Sequence, residues 1–168
     1  DSYTDNYRIE SWLGRFNYNY DEKYYFDASF RTDGSSRFYK DNRWGKFWSV
    51  GGNWRVSKEA FMEDVEWVNN LSVKVSYGQQ GNDDLGSFYA WQSLYDLGWS
   101  NSAQIGGMVS TLENKKVTWE KNNNFNVGIE ASLFDSRLSI NAEYYNKKTT
   151  DMLLSYPMAT STGFNGYN

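Results

Sequence analysis

The stretch FNVGIEASLFDSRLSINAEYY, residues 125–145, alternates apolar and polar residues on both sides of Asp135 and Ser136. Strict alternation is typical of β-strands whose two faces lie in different surroundings. A two-residue turn at Asp135 and Ser136 would set Leu133 opposite Leu138 and would match apolar with apolar residues along both strands. A shift of one residue would set apolar against polar throughout, so the stretch predicts one specific antiparallel hairpin.

Four further stretches with the same alternation come before this hairpin, which makes six predicted strands. The four earlier strands are predicted at residues 8–20, 24–32, 46–56 and 71–80. A three-residue turn at residues 21–23 would pair Tyr20 with Tyr24 and Phe16 with Ala28. The sequence therefore predicts an all-β, antiparallel protein.

The connections between these strands alternate between short and long. Residues 21–23 and the Asp135–Ser136 turn are short, whereas residues 33–45 and 81–116 and the tail from Thr149 are long. Short turns at one end and long loops at the other are typical of transmembrane β-barrels.

The remaining connection, residues 57–70, interrupts the alternation. Phe61, Val65 and Val68 are spaced as on one face of a helix, and Ser57 is a plausible N-cap. We therefore expect a short helix on the side of the short turns, which would be the periplasmic side of a barrel.

The composition limits the classes of function. The 168 residues include no Cys and no His, which excludes disulfides, thiol nucleophiles and His-dependent catalysis within the chain. The net charge of −4 argues against a nucleic-acid partner, since phosphate binding requires a basic face. No segment has the roughly 20 apolar residues of a membrane-spanning helix, so any membrane role would depend on strands.

Two readings of the alternating faces remain open at this point. In a transmembrane barrel, one face contacts lipid and the other lines a wet interior, and aromatic residues near strand ends lie at the membrane interface. In a soluble antiparallel domain, the apolar face covers a core. The predicted interfacial aromatics are Trp12, Tyr18, Tyr20, Tyr24 and Trp54.

Five motifs, in order along the chain, resemble the barrel of SusC/RagA-type TonB-dependent outer-membrane transporters. They are RTDGSSRF at 31–38, NRWGKFWSVGGNWRVSKEAF at 42–61, LSVKVSYGQQGN at 71–82, VTWEKNNNFNVGIEASLFDSRL at 117–138 and YYNKKTTDMLL at 144–154. The resemblance covers about residues 9–160. One departure is Trp48, where this family more often has proline, and it affects only a strand entrance.

The resemblance implies a barrel of roughly 22 strands with a plugged lumen. Six strands cannot close a barrel, whose smallest usual size is about eight. We therefore expect residues 1–168 to be a partial TonB-dependent receptor β-barrel domain, without the plug and N-terminal domains. A complete eight-stranded barrel is the alternative, with two strands drawn from the flanks and from SFYAWQSLYDL.

The family also implies a function and partners. Its members import glycans or peptides across the outer membrane of Gram-negative bacteria, usually with a SusD-like lipoprotein lid, and the TonB complex acts through the N-terminal part. The implied function is therefore a transporter's barrel wall and extracellular loops, with no catalytic activity and no cofactor. The alternative is a soluble or surface-attached glycan-binding β-domain.

Two groups of residues are candidates for functional contacts. Aromatic side chains in the long loops suit contact with substrate or lid, because flat rings stack on sugars and anchor protein partners. These candidates are Trp44, Tyr89, Trp91, Tyr95 and Trp99. The residues expected to face the lumen are Arg15, Asp27, Arg31, Arg55, Lys74, Glu130 and Glu143.

Acidic pairs in the sequence suggest two further sites, and both have simpler explanations. Asp83 and Asp84 lack the spacing of a known calcium loop and are expected to be solvated turn carboxylates, so no metal site is predicted. Glu130 and Glu143 lie on one face like a glycosidase pair, but no third feature supports catalysis. We expect them to be charges of the lumen wall.

Overall fold

The computed structural model describes residues 4–101, 104–164 and 166–167. Extended backbone dominates this part of the chain. The strands are β1 Ile9–Tyr20, β2 Tyr24–Ser35, β3 Trp44–Arg55, β4 Val68–Asn82, β5 Leu94–Asn101, β6 Gln104–Thr111, β7 Glu120–Leu133, β8 Leu138–Thr150, β9 Tyr156–Pro157 and β10 Gly166–Tyr167. Short 3₁₀ turns occur at Val56–Lys58, Ala60–Met62 and Thr160–Thr162.

Six of the strands form one antiparallel sheet in the order β1-β2-β3-β4-β7-β8. These are the six predicted strands, and all but β1 are longer than their sequence patterns indicated. Strands β5 and β6 form a separate hairpin, and β9 pairs with β10. The sheet is open, with β1 and β8 at its edges.

The predicted hairpin registers are confirmed. Leu133 lies opposite Leu138, with the backbone of Phe134, Asp135 and Ser136 at positive φ in the turn between them. The first hairpin also has the predicted register, including Tyr20 opposite Tyr24. Alternation of side chains therefore gives every strand of the large sheet one apolar and one polar face.

The predicted helix at residues 57–70 is wrong. The segment contains the two 3₁₀ turns and the first residues of β4, which begins at Val68, and the side chain of Phe61 is 66% exposed. A helix this short is unstable unless its apolar side packs on other residues, and Phe61 does not pack in this way. Glu59 accepts hydrogen bonds from the Tyr24 hydroxyl at 2.5 Å and the Trp54 indole N–H at 2.9 Å.

The long loops are more structured than their composition indicated. The segment 81–116 begins with the end of β4 and contains the β5–β6 hairpin, while the tail contains β9 and β10. The loop predicted at residues 33–45 is shorter, because β2 continues to Ser35 and β3 starts at Trp44. Hydrogen bonding between backbones extends these strands beyond the region of clear alternation.

One face of the large sheet, called here the apolar face, is covered by exposed aromatic and aliphatic side chains. No second layer of the described residues packs on it. Its exposed large residues include Trp12, Phe16, Tyr18, Tyr20, Tyr24, Phe26, Phe30, Trp44, Trp48, Val50, Trp54, Val75, Tyr77, Phe125, Ile129, Leu138, Ile140 and Tyr144. The opposite face is called the polar face.

The buried core lies at one end of the sheet. This loop end carries residues 36–43, residues 83–119 and the segment after Thr150, whereas the other end, the turn end, carries the short connections. Phe38, Phe47 and Trp119 form the core, and both phenylalanine rings have centroids 5.4 Å from that of Trp119. The loops thus pack against the sheet at its loop end.

Candidate functional site

The polar face gathers all the residues predicted to face the lumen. Strand register places Arg15, Asp27, Arg31, Arg55, Lys74, Glu130 and Glu143 on this one face. The ammonium group of Lys74 lies 2.6 Å from a Glu130 carboxylate oxygen. Arg31 pairs in the same way with Asp33, at 2.7 Å. The face is therefore a partly neutralised, hydrogen-bonding surface.

A hollow of about 320 Å³ lies over the middle of this face. Glycines at positions 51 and 128 leave space between longer polar side chains, and Gly51 lies directly beneath the Asp27 carboxylate. Among the described residues, Lys74 is the only cation lining the hollow. Its polar walls are formed by Asp27, Asn53, Lys74, Ser76, Asn126, Glu130, Asn141 and Glu143.

A larger hollow, of about 630 Å³, opens on the polar face towards the loop end. Its floor is formed by strand residues such as Ser29, Ser49 and Asn124. Its upper wall includes Phe47 and Trp119 of the buried core. The two hollows together line the polar face from its middle to the loops.

Arg37 connects three segments at the loop end. Its guanidinium donates hydrogen bonds to the Asp84 carboxylate at 2.8 Å and to the Asp83 carbonyl at 3.0 Å. It also lies over the rings of Tyr7 and Phe88, 4.9 and 5.0 Å from their centroids. The loop after β2, the loop after β4 and the segment before β1 are thereby held together.

Asp83 is the acceptor at the centre of this network. Its carboxylate accepts hydrogen bonds from the Ser35 hydroxyl at 2.6 Å and from the Tyr7 hydroxyl at 2.9 Å. Partial burial and the bond to Asp83 raise the pKa of Tyr7, and the Gly86 backbone N–H and the Arg37 guanidinium lower the pKa of Asp84. Asp83 thus takes part in loop packing, whereas the Asp84 side chain is 71% exposed and accepts the Gly86 N–H, as expected of a solvated turn carboxylate.

The predicted aromatic contact residues do not form one cluster. Trp91 packs against Tyr39 with ring centroids 5.5 Å apart, and Tyr89 accepts a hydrogen bond from the Asn6 backbone at 3.5 Å. Tyr95 lies on β5 and is 64% exposed, while the side chain of Trp99 lies outside the described part. Trp44 is on the apolar face, beside Gly34, and is separated from the others by the sheet.

Sequence reasoning missed Arg37 and the buried aromatic core. Arg37 and Phe38 lie within a motif that was read only for its family resemblance, and Trp119 lies in another. A signal was present in the sequence: Gly45 and Gly81 occur in motifs that also contain large aromatic and cationic residues, and glycines leave space for such side chains to pack. An added Cβ at either glycine would collide with the Phe47 ring.

Two classes of feature are absent from the described residues. Residues 4–101, 104–164 and 166–167 include no group of three or more acidic side chains arranged to hold a metal ion. Within the same ranges, no helix has the length and apolar character needed to cross a membrane.

The fold and the two faces define the class of protein. An antiparallel sheet with an exposed apolar face, a hollowed polar face and loops gathered at one end is the wall of an outer-membrane type of β-barrel. Residues 1–168 match the family described as TonB dependent receptor-like, beta-barrel, and the chain belongs to this family.

Relatives and solved structures agree with this assignment. The chain is 35% identical over 161 residues to TonB-dependent receptor P26 of Formosa agariphila, covering 95% of this chain and 16% of that protein. It is 32% identical over 170 residues to TonB-dependent receptor SusC of Bacteroides thetaiotaomicron, covering 98% and 17%. A chain in the structure of the RagAB peptide transporter superimposes with a TM-score of 0.88 at 37% identity, covering 96% of this chain and 18% of that one.

These comparisons confirm the predicted family and fold, and they favour a barrel segment over the soluble binding domain. The matched proteins are named as receptors and a transporter, not as enzymes. The chain spans about one-sixth of the length of these curated relatives.

Proposed function

We propose that the chain forms part of the barrel wall and the extracellular loops of an outer-membrane transporter that imports glycans or peptides. The observation that carries the proposal is the exposed apolar face, which lacks any covering layer in the described residues. Lipid is the surrounding that stabilises such a face without a second protein layer. The polar face, with its two hollows, then lines the lumen.

Topology follows from chain parity. Each strand crosses the membrane once, and bacterial barrels keep short turns in the periplasm and long loops outside. Residues 21–23, 57–70 and 135–136 are therefore periplasmic. Residues 33–45, residues 81–116 and the tail from Thr149 are extracellular. The connection 57–70 fits this side because its two 3₁₀ turns keep it compact.

Partners follow from the same placement. A SusD-like lipoprotein lid and the incoming substrate meet the loop end, where Tyr89, Trp91, Tyr95 and Trp99 lie. The TonB complex acts through a segment outside this chain. Support for a lid and for peptide cargo comes from the similarity to the RagAB peptide transporter. Trp44 has a different role in this arrangement, because its position on the apolar face suits the membrane interface.

Single-cysteine labelling of the full-length transporter tests the proposal. An impermeant thiol reagent on intact cells should label Ser93→Cys and spare Ser136→Cys, and both should react after the outer membrane is opened. Added peptides or oligosaccharides should slow the labelling of Ser93→Cys if the loop contacts that class of substrate. Labelling of Ser136→Cys alone would show that the topology is the reverse of the one proposed. If neither peptides nor oligosaccharides slow the labelling of Ser93→Cys, the proposed substrate contact by this loop is wrong.

A further inference from the structure

Charged residues on the apolar face are confined to its loop end. Strand alternation places four charged side chains on this face, namely Glu10, Lys46, Lys121 and Lys148. Glu10, Lys121 and Lys148 lie beyond the last apolar residues of their strands on the loop side, and Lys46 lies between Trp44 and Trp48 at the start of β3. The remaining positions of this face, down to the turn end, carry no charge.

Two of the three lysines have no anionic partner among the described residues. Lys46 and Lys148 are exposed and form no ion pair with that part of the chain. The Lys121 ammonium lies 3.4 Å from the Asp151 carboxylate, with both side chains partly exposed. Glu10, on the edge strand β1, accepts a hydrogen bond from the Trp12 indole N–H at 2.9 Å. Lys46 and Lys148 therefore remain available for an external anion, and Lys121 lies partly exposed beside Asp151.

The three lysines lie close enough to act on one layer of anions. Lys121 is opposite Thr150, so Lys148 is its diagonal neighbour on the adjacent strand, about 7–8 Å away. Lys46 lies at the same end of the sheet, on β3, two places from β7 in the strand order. Next to Lys46 on β3 are Trp44 and Trp48, and the Trp48 ring centroid is 5.4 Å from that of Tyr77.

We propose that Lys46, Lys121 and Lys148 form a lysine row that binds the phosphate groups of lipid in the outer leaflet of the outer membrane. The proposal rests on the topology proposed above, which places the loop end outside. Aromatic rings lie at the membrane interface, and lysine stems can lie along the apolar surface beside them. This arrangement presents the ammonium groups to the lipid headgroups. Positive charge beside an anionic membrane surface adds directly to lipid affinity.

The opposite end of the apolar face supports the choice of lipid as occupant. There the aromatic residues Tyr24 and Trp54 are bridged by the Glu59 carboxylate, and the strands carry no lysine on this face. Hydrogen bonds from these two side chains lower the pKa of Glu59, so the carboxylate stays ionised. Lysines on the strands of the apolar face are thus confined to the loop end, which favours phosphate there.

Lipid binding to the purified full-length transporter tests this inference. Native mass spectrometry would compare phosphorylated lipid A with dephosphorylated lipid A for the wild type and for Lys148→Gln. We expect Lys148→Gln to weaken binding of the phosphorylated form about five-fold, equivalent to about 1 kcal/mol, and to leave the dephosphorylated form unchanged. The double variant Lys46→Gln/Lys148→Gln should lose about 25-fold.

Lys147→Gln is the matched control, because this neighbouring lysine lies on the polar face, opposite Asn124. It should bind phosphorylated lipid A as the wild type does. Equal losses for Lys147→Gln and Lys148→Gln would overturn the inference, as would tighter binding of phosphatidylglycerol than of phosphorylated lipid A. If lipid binding fails in this way while Ser93→Cys is still labelled on intact cells, the proposed function stands and only the lysine row is wrong. If Ser136→Cys is labelled and Ser93→Cys is not, the topology on which the lysine row rests is wrong.

Discussion

At the scale of single residues, the loop-end core depends on two glycines. Phe47 is 4% exposed because its ring occupies space that a side chain at Gly45 or Gly81 would need. A Cβ at Gly81 would lie 2.0 Å from the Phe47 Cζ atom, far inside van der Waals contact. Glycine is therefore required at these positions to leave room for the Phe47 ring, and not for a positive φ.

Gly81→Ala in the full-length transporter should destabilise the barrel by about 1–3 kcal/mol, because the added methyl group overpacks a filled site. The measurement is the free energy of unfolding in denaturant, followed by tryptophan fluorescence. Gly14→Ala is the control, since no heavy atom lies within 4 Å of a Cβ at that position. It should be neutral or slightly stabilising.

A second substitution distinguishes overpacking from other effects. Phe47→Leu shortens the colliding side chain, so the cost of Gly81→Ala should be smaller in the Phe47→Leu background than in the wild type. An unchanged cost would show that the Phe47 contact is not the cause.

The sequence predicted the surroundings of individual residues only where alternation applies. The face occupied by Lys74 or Glu130 could be predicted, because side-chain direction in a strand has a period of two. The contacts of Arg37 could not, because its partners lie on loops 46 and 47 residues away, and nothing in local pattern specifies such pairs. Trp44 was assigned to a loop because the strand extends past its clear pattern.

At the scale of secondary-structure elements, the hairpins were the most predictable feature. Pairing of apolar residues permits only one register for β7 and β8, and the structure has that register. The helix prediction failed because spacing at i, i+4 and i+7 describes a possible apolar stripe and not the surface that would cover it. Strands β5 and β6 were missed because their sequence lacks strict alternation.

Ile129→Arg tests the orientation of the central strands. Ile129 is 46% exposed and lies in the middle of β7 on the apolar face. An arginine at the membrane midplane should cost about 2–4 kcal/mol of barrel stability. The measurement is unfolding of the full-length protein in lipid or detergent, together with the yield in the outer-membrane fraction.

Asn141→Arg provides the comparison, because Asn141 lies opposite Glu130 on the polar face of the same hairpin. This arginine gains a carboxylate neighbour in a hydrated setting, so folding should change little. Equal destabilisation by the two variants, or none by Ile129→Arg, would count against the assignment of the faces.

At the scale of the whole molecule, the sheet has two free edges and two exposed faces. Within the described residues, the outer backbone groups of β1 and β8 have no partner strand. Open edges promote association between chains, and the apolar face would add to this in water. Burial of the Phe38–Phe47–Trp119 core at one end does not compensate for a face of this extent.

The 168-residue chain expressed alone should therefore fail to give a stable soluble monomer. We expect aggregates or detergent-dependent species in size-exclusion chromatography with light scattering. A monodisperse monomer that unfolds cooperatively without detergent would contradict this prediction and would favour the soluble glycan-binding domain.

The separation of β4 from β7 along the chain has a consequence for assembly kinetics. These strands are neighbours in the sheet, yet residues 83–119 lie between them, whereas only residues 21–23 separate β1 from β2. Closing a loop roughly ten times longer costs about 2 kcal/mol more in chain entropy. The β1–β2 and β7–β8 hairpins should consequently act as separate nuclei, and the β4–β7 seam should be the slow step at which insertion into the membrane can stall.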